Sequence, residues 1–467
     1  MSVRAISQPL RLSDQPDALV PIRTKGRCFE TFDGAPFLFI GANDAVSWQG
    51  LSGLYKRRNP QVVDAYLEAL AAQGATILRV MLEYAQTTGW YFEKPAGRFN
   101  PIMVRFWDDL LLRCQRYGLR VLLTPFDTYW MARRWHSHPY NAINGGAAAH
   151  QGAFLTDPAI FEAVVRRLRF VIERWGDTGV IAAWDLFNEI DPFWGGSIEQ
   201  QTAWVARLSL QVREIEQQTW GFTRPQTVSV FGPALASPYH DLIFRHPDLD
   251  FATTHIYHGA IDDPHDVVSP ALAMRQAVEF GAACAADRPF TDSEHGPIHL
   301  FNDHRRFLAE AFDDEYERHL MWAHLMSGGA GSGMRWPARH PHILTPGMRR
   351  AFKSLADFCQ HVTWGRFNPQ PLADRLHYTA QNNLCFGCGD SRQAICWVVC
   401  ENYTDAPITL MLYGLEPGTY TVVRWNPVNG YAEGSRHETV DSSGCLVLFS
   451  ERLPHDLAFA VRQAAPA

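Results

Sequence analysis

Residues 180–189, "VIAAWDLFNE", decide how this chain folds. An apolar, aromatic run ends in Asn188 and Glu189, and Asp191-Pro192 then stop the element. A carboxylate is costly to bury, and an exposed one needs no apolar lead-in. Either a buried strand delivers Asn188 and Glu189 to a working surface, or a helix ends on a solvated glutamate. The residues just before favour the strand. "PAIFEAVVRRLRFVIERWG" (158–176) carries apolar residues at helical spacing and closes on a glycine. A short apolar run directly after such a helix reads as a strand of a parallel sheet, buried on both faces.

Working outward, the same alternation recurs. "FETFDGAPFLFIGAND" (29–44) reads as a hairpin around Asp33-Gly34 whose second run leads to Asn43. Strand-like runs follow at 75–82, 119–127, 226–232, 249–258, 288–296 and 331–337. Helical spacing fills 62–74, 104–118, 198–219, 270–284, 304–328 and 346–362, with only a short helix near 238–246. Eight strands, each followed by a helix, over about 330 residues match a (β/α)8 TIM barrel with loop insertions. From about residue 370 the texture changes to short alternating runs such as "AICWVVCEN" and "TYTVVRWNP", separated by Gly, Asn, Asp or Pro. That pattern predicts an antiparallel β-sandwich. The expected domains are residues 1–365, a catalytic barrel that includes the hairpin, and 370–467, the sandwich, joined by "WGRFNPQP" (364–371).

Composition excludes several classes of partner. The 467 residues hold 42 basic and 49 acidic side chains and no Lys/Arg block, which argues against nucleic acid or an anionic membrane surface. No stretch is apolar for long enough to span a bilayer, and the first residues lack the pattern of a cleaved signal. Nine scattered cysteines suit reduced thiols better than a disulfide framework, so a cytoplasmic location is expected. Trp48, Trp90, Trp130, Trp135 and Trp194 fall in candidate loops, and an indole is what the C–H face of a pyranose stacks on.

In a barrel of this type chemistry sits at the carboxyl ends of the strands. Those ends carry Asn43 and Asp44; Arg79 and Glu83; Asp127, Tyr129 and Trp130; Asn188 and Glu189; His255 and Tyr257; Glu294; and Trp336. Glu189 ends the fourth strand and Glu294 the seventh, so they face each other across the mouth. Two carboxyls across a cleft suit glycoside hydrolysis with retention, at a separation of about 5–5.5 Å.

"FNE" after a strand, "HIYH" two strands later, "SEHG" on the next and "RW" on the last resemble glycoside hydrolase clan A, especially its cellulase- and mannanase-like family 5. "FDGAPFLFIGAN" is similar to that clan's entry hairpin. The resemblance covers about residues 28–340. It implies Glu189 as acid/base, Glu294 as nucleophile, Asn188 on the substrate 2-hydroxyl, and Arg79 and Tyr257 beside the nucleophile. It further implies that His255 lines the same subsite and that Trp336 floors it. The third strand departs from the clan. Its end reads "TPFDTYWMARRWHSHPYN", so Asp127, Trp130, Trp135, His136 and His138 are expected to reshape the sugar sites.

The expected function is therefore a retaining hydrolase of β-glycosidic bonds in oligo- or polysaccharides of β-glucan or mannan type, with no cofactor. Alternatives are a transglycosidase with the same residues or a non-catalytic carbohydrate-binding protein. Two groups raise the question of zinc. His136 and His138 lack matched further ligands. "CFGC" (385–388) with Cys396 and Cys400 resembles a knuckle, although buried cysteine is also a common small core residue.

Overall fold

The computed structural model describes residues 11–43, 53–83, 91–232, 238–257, 266–296, 309–336, 344–379, 383–400, 407–452 and 455–464. It opens with an antiparallel sheet of β1 (Ile22–Lys25), β2 (Cys28–Thr31) and β3 (Pro36–Phe37), with Phe29 opposite Phe37. The barrel strands are β4 (Phe39–Asn43), β5 (Ile77–Met81), β6 (Arg120–Thr124), β7 (Ile181–Asp185), β8 (Gln226–Thr227), β9 (Ser229–Phe231), β10 (Ala252–Ile256), β11 (Phe290–His295) and β12 (Gly331–Arg335). All their pairings are parallel. The sheet runs β8-β7-β6-β5-β4-β12-β11-β10-β9. Its two ends, β8 and β9, are one stretch of chain interrupted at Val228, so the fifth strand closes the ring. The result is the expected (β/α)8 barrel.

The helices form where caps and apolar spacing coincide. The helix α1 (Pro60–Ala72) starts on a proline, as does α2 (Pro101–Arg116), where Asn100 accepts from Ile102 N–H at 3.0 Å. A six-residue α3 (Thr128–Arg133) follows β6. In α4 (Pro158–Trp175), Asp157 accepts from Ala159 N–H at 2.7 Å and Pro158 holds the first position. Its Ile160, Val164, Leu168, Val171 and Trp175 are buried along one stripe, about 1.5–3 kcal/mol for each large side chain. A Ser197/Gln200 capping box opens α5 (Ile198–Trp220), and the left-handed Gly221 ends it. The ring continues through α6 (Pro238–Phe244), α7 (Val268–Ala285), α8 (Glu310–Met326) and α9 (Pro346–Cys359). Residues 304–308 of the expected seventh helix, residue 258 of the sixth strand and residue 337 of the eighth lie outside the described residues.

The hairpin plugs the barrel floor. Phe29 stacks on Phe39 at 4.2 Å and meets Phe251 edge-on at 5.4 Å. Ile22 and Phe37 join the same cluster with Ile77, Leu122 and Ala182. With that end closed by apolar side chains, polar groups concentrate at the other. Strand β12 lies so close to β4 that a Cβ on Gly331 would sit 2.1 Å from Phe39 O, which only glycine permits.

The C-terminal part comprises β13 (Gln370–Pro371), β14 (Leu376–Thr379), β15 (Asn383–Gly389), β16 (Gln393–Cys400), β17 (Ile408–Leu412), β18 (Gly418–Asn426), β19 (Tyr431–Val440), β20 (Leu446–Ser450) and β21 (Asp456–Gln463). They build two antiparallel sheets, ordered β13-β15-β16-β21-β18-β19 and β14-β17-β20, the expected sandwich. Alternation along β16 splits its burial between two cores. Ala394, Cys396 and Val398 face the smaller sheet, while Ile395, Trp397 and Val399 join the barrel's core. Polar links reinforce this seam: Trp397 Nε1 and Arg318 Nε of α8 each donate to Asp456 Oδ2 at 3.3 Å.

Candidate active site

The barrel brings Asn43, Arg79, Asn188, Glu189, His255, Tyr257 and Glu294 to one end. Glu294 lies in β11 and is 8% exposed. Both its oxygens are occupied by donors. Arg79 Nη1 donates to Oε2 at 2.9 Å, Asn43 Nδ2 donates to the same oxygen, and the Tyr257 hydroxyl donates to Oε1. Burial pushes the Glu294 carboxyl up from its ordinary range, and the Glu189 charge adds to this, while His255, Arg79 and the Tyr257 hydroxyl pull it down. A guanidinium cannot accept a hydrogen bond, so this donor set selects the ionised carboxylate. Tyr257 stays a phenol: burial first, then Glu294 and Glu189, hold its hydroxyl well above the usual range.

Arg79 is fully buried in β5 and binds three partners. Besides Glu294, its Nη2 donates to Asp185 Oδ2 and to Asn188 Oδ1, both at 2.6 Å. Burial opposes its charge, but Asp185 and Glu294 outweigh that and raise its pKa. Asn188 in turn donates from Nδ2 to Thr128 Oγ1 at 2.7 Å, and its carbonyl accepts from that hydroxyl at 2.9 Å. Asp185 also accepts from Ser229 N–H at 2.9 Å. Asp185, Thr128 and Ser229 were not singled out in the sequence; a lone Asp inside "IAAWD" was the available signal for the first.

Glu189 follows β7 at φ 51°, a left-handed conformation unusual for a residue with a side chain. Such a residue costs about 1–2 kcal/mol. The Ser229 hydroxyl compensates by accepting Glu189 N–H at 3.0 Å. The turn directs the carboxylate toward the sixth strand, where His255 Nδ1 lies 2.7 Å from Oε1. One oxygen each of Glu189 and Glu294 and one nitrogen of His255 lie within 4.8 Å of one another. Among the described residues this is the sole cluster of three His, Cys, Asp or Glu side chains with spacing for a metal. Of these three, Glu294 also carries the Arg79 guanidinium, with Nη1 2.9 Å from Oε2.

Asp127, Trp130 and Trp336 complete the expected set. Asp127 is 2% exposed and caps α3, with Oδ1 accepting from Trp130 N–H at 3.1 Å. Trp130 is half-buried, and Arg134 lies over its ring at 5.4 Å. Trp336 is buried just past β12, its N–H donating to His295 O at 2.8 Å. Asp44, Trp48 and Trp90 lie outside the described residues. Glu83 does not face outward as a free rim acid. It pairs with His138 Nε2 at 2.9 Å and Arg167 Nη2 at 3.4 Å. Burial opposes its charge, yet Arg167 and His138 bring its carboxyl down to about 2. Next to Glu294 in β11, His295 sits between Asp292 and Glu317 Oε2, the latter at 3.0 Å. Burial works against its charge, but Glu317 and Asp292 raise it to about 9.

The cysteine group does not form a knuckle. Cys385 and Cys388 lie three apart in β15 and so point to opposite faces, Cys385 into the sandwich core and Cys388 toward the barrel. Burial pushes both thiols well above the usual range and Cys396 up to about 12, the reverse of what a thiolate ligand needs. His136 is exposed, apart from the buried His138. Among the described residues no helix is long and apolar enough to cross a membrane.

No family model matches the chain. Mannan endo-1,4-beta-mannosidase 1 of Oryza sativa subsp. japonica is 24% identical over 259 residues, which cover 50% of this chain and 58% of that protein. The chain thus matches less than two thirds of that relative's length. A glycoside hydrolase family 5 structure from Bacteroides vulgatus aligns with a TM-score of 0.64 and 14% identity, over 96% of this chain and 94% of that one. A family 5 mannosidase from Rhizomucor miehei aligns at 0.51 and 18%, over 69% and 86%. The chain therefore shares the fold of family 5 glycoside hydrolases, and the resemblance carried by its motifs agrees with these likenesses.

Proposed function

We propose that the chain is a retaining β-glycosidase acting by double displacement. The observation that carries this reading is the pair of carboxylates from strands four and seven, with one oxygen of each within 4.8 Å, the short spacing of retaining enzymes. Glu294, ionised and fixed by Arg79, Asn43 and Tyr257, attacks the anomeric carbon as the bond to the leaving oxygen breaks. Glu189 protonates that oxygen. Water then attacks the glycosyl ester, Glu189 takes its proton, and Glu294 leaves as carboxylate. Asn188, locked by Arg79 and Thr128, is placed to hydrogen-bond the 2-hydroxyl as charge develops. Trp336 and Trp130 supply apolar faces for sugar rings.

The substrate in this reading is a β-linked oligo- or polysaccharide. The names of the rice relative and the Rhizomucor structure, both mannosidases, favour mannosides within the glucan or mannan class. The test compares aryl β-mannoside, glucoside, galactoside and xyloside with wild-type protein, Glu294→Gln and Glu189→Ala. Glu294→Gln should lose turnover. Azide should restore Glu189→Ala and yield a β-glycosyl azide. Near-normal turnover by Glu294→Gln, or an α-azide, overturns the assignment.

A further inference from the structure

Strand β11 carries one residue more than its neighbour where it reaches the mouth. Thr254 of β10 pairs with Asp292 and His255 with Glu294, so Ser293 is the extra residue of a β-bulge. In an unbroken strand Asp292 and Glu294 would share a face, and Asp292 and His295 would face apart. Here the Asp292 carboxylate meets His295 Nδ1, and Glu294 turns instead to Asn43 and Arg79. Asp292 Oδ1 also accepts from Glu294 N–H at 3.3 Å, across the bulge.

Helix α8 grips both ends of this bulge. Asp292 N–H donates to His324 Nε2 at 3.0 Å, and Glu317 Oε2 lies 3.0 Å from His295 Nε2. Glu317 and His324 stand on one face of that helix, roughly two turns apart. His295 thus has a carboxylate at each ring nitrogen. An ionised carboxylate only accepts, so both nitrogens donate and the ring is an imidazolium. Asp292, His295, Glu317 and His324 are all buried. Strand β12 makes room for them: a Cβ on Gly333 would sit 3.0 Å from Asp292 Oδ2 and 3.3 Å from His295 Nδ1. The double displacement uses none of these four side chains.

Resting on the glycosidase reading, we infer that His295 is a positioning residue: clamped between Asp292 and Glu317, it holds the bulge that aims Glu294 at the anomeric carbon. Loss of the clamp releases Asp292, and with it the hydrogen bond that ties the Glu294 backbone across the bulge. The carboxylate then keeps its chemistry but loses its aim.

The experiment follows covalent labelling by a 2-deoxy-2-fluoro-β-glycosyl fluoride of the sugar that the wild-type chain cleaves fastest. It records the labelling rate constant, the reagent concentration at half-maximal rate and the final label per chain. In His295→Leu the rate constant should fall about 10²-fold, with half-saturation within about threefold of wild type and still one label per chain. Glu317→Leu should lose about tenfold, and Glu317→Gln, which keeps an acceptor for His295 Nε2, should stay within about threefold of wild type. If His295→Leu does not fold, the two Glu317 variants carry the same test from α8. A wild-type rate in either Leu variant, or equal losses in Glu317→Gln and Glu317→Leu, overturns this inference alone. So does a final label that falls in proportion to the rate, since the clamp would then serve folding only. Failure of the wild-type chain to cleave any aryl glycoside overturns the glycosidase reading and this inference with it.

Discussion

His255 Nδ1 stands 2.7 Å from Glu189 Oε1, and its Nε2 stands 3.2 Å from Ser293 Oγ. The ring is fully buried, so the orientation of Glu189, the proposed acid/base at the end of the fourth strand, is fixed from the sixth. In the proposed mechanism, with Oε1 held by the imidazole, Oε2 faces the leaving oxygen. His255→Ala should therefore impair acid catalysis selectively. On an aryl glycoside with a poor leaving group kcat/KM should fall about 10²-fold, and on a dinitrophenyl glycoside less than about tenfold. Equal losses on the two would contradict this role.

Tyr257 tunes Glu294, the proposed nucleophile. Burial raises the Glu294 carboxyl, and the Tyr257 hydroxyl is one of the groups that lowers it. Removing the hydroxyl in Tyr257→Phe raises the Glu294 pKa further. Activity requires the ionised form, so the acid limb of kcat/KM should move to higher pH. A pH profile in which that limb stays put or moves down contradicts the assignment.

Arg79 holds the site together as well as serving it. Replacing it by Met leaves Asp185 and Glu294 buried without their cation, and loss of one partner of a buried pair costs about 3–5 kcal/mol. Urea unfolding should show that loss, and adding Asp185→Asn should recover part of it. A loss below about 1 kcal/mol would mean the charges are not coupled as the distances imply.

Two buried networks set opposite edges of the stability profile. His295 is raised to about 9 in the folded chain, above its ordinary 6.5. Its contribution is complete below 6.5 and is lost as pH rises through about 9. Glu83 is lowered to about 2 from 4.5, so its contribution is present above 4.5 and is lost as pH falls toward 2. Urea midpoints between pH 6 and 9.5 should fall for the wild type and fall less for His295→Gln; identical slopes would contradict the His295 contribution.

The barrel was legible because parallel strands buried on both faces appear as apolar runs between amphipathic helices. The fifth strand was the least legible. Its Gln226, Thr227 and Ser229 are fully buried yet polar, and the break at Val228 leaves no continuous run. The glutamate pair emerged from strand order, and the proposed roles of Asn188, Arg79 and Tyr257 from resemblance. What stayed hidden depends on register between distant strands. Ser229 capping the strained Glu189 is one case. Glu83, His138 and Arg167, drawn from three elements into one buried cluster, are another. The cysteines left the question of zinc open for a simple reason: residues three apart face together in a helix but oppose each other in a strand.

Covalent trapping tests the central claim most directly. The chain is incubated with a 2-deoxy-2-fluoro-β-glycosyl fluoride of the preferred sugar, digested, and mapped by mass spectrometry. One fluorosugar per chain on the peptide that contains Glu294 is the expected result. Wild-type protein that cleaves aryl glycosides yet carries no label, or carries it on Glu189, would contradict the assignment of Glu294 as nucleophile.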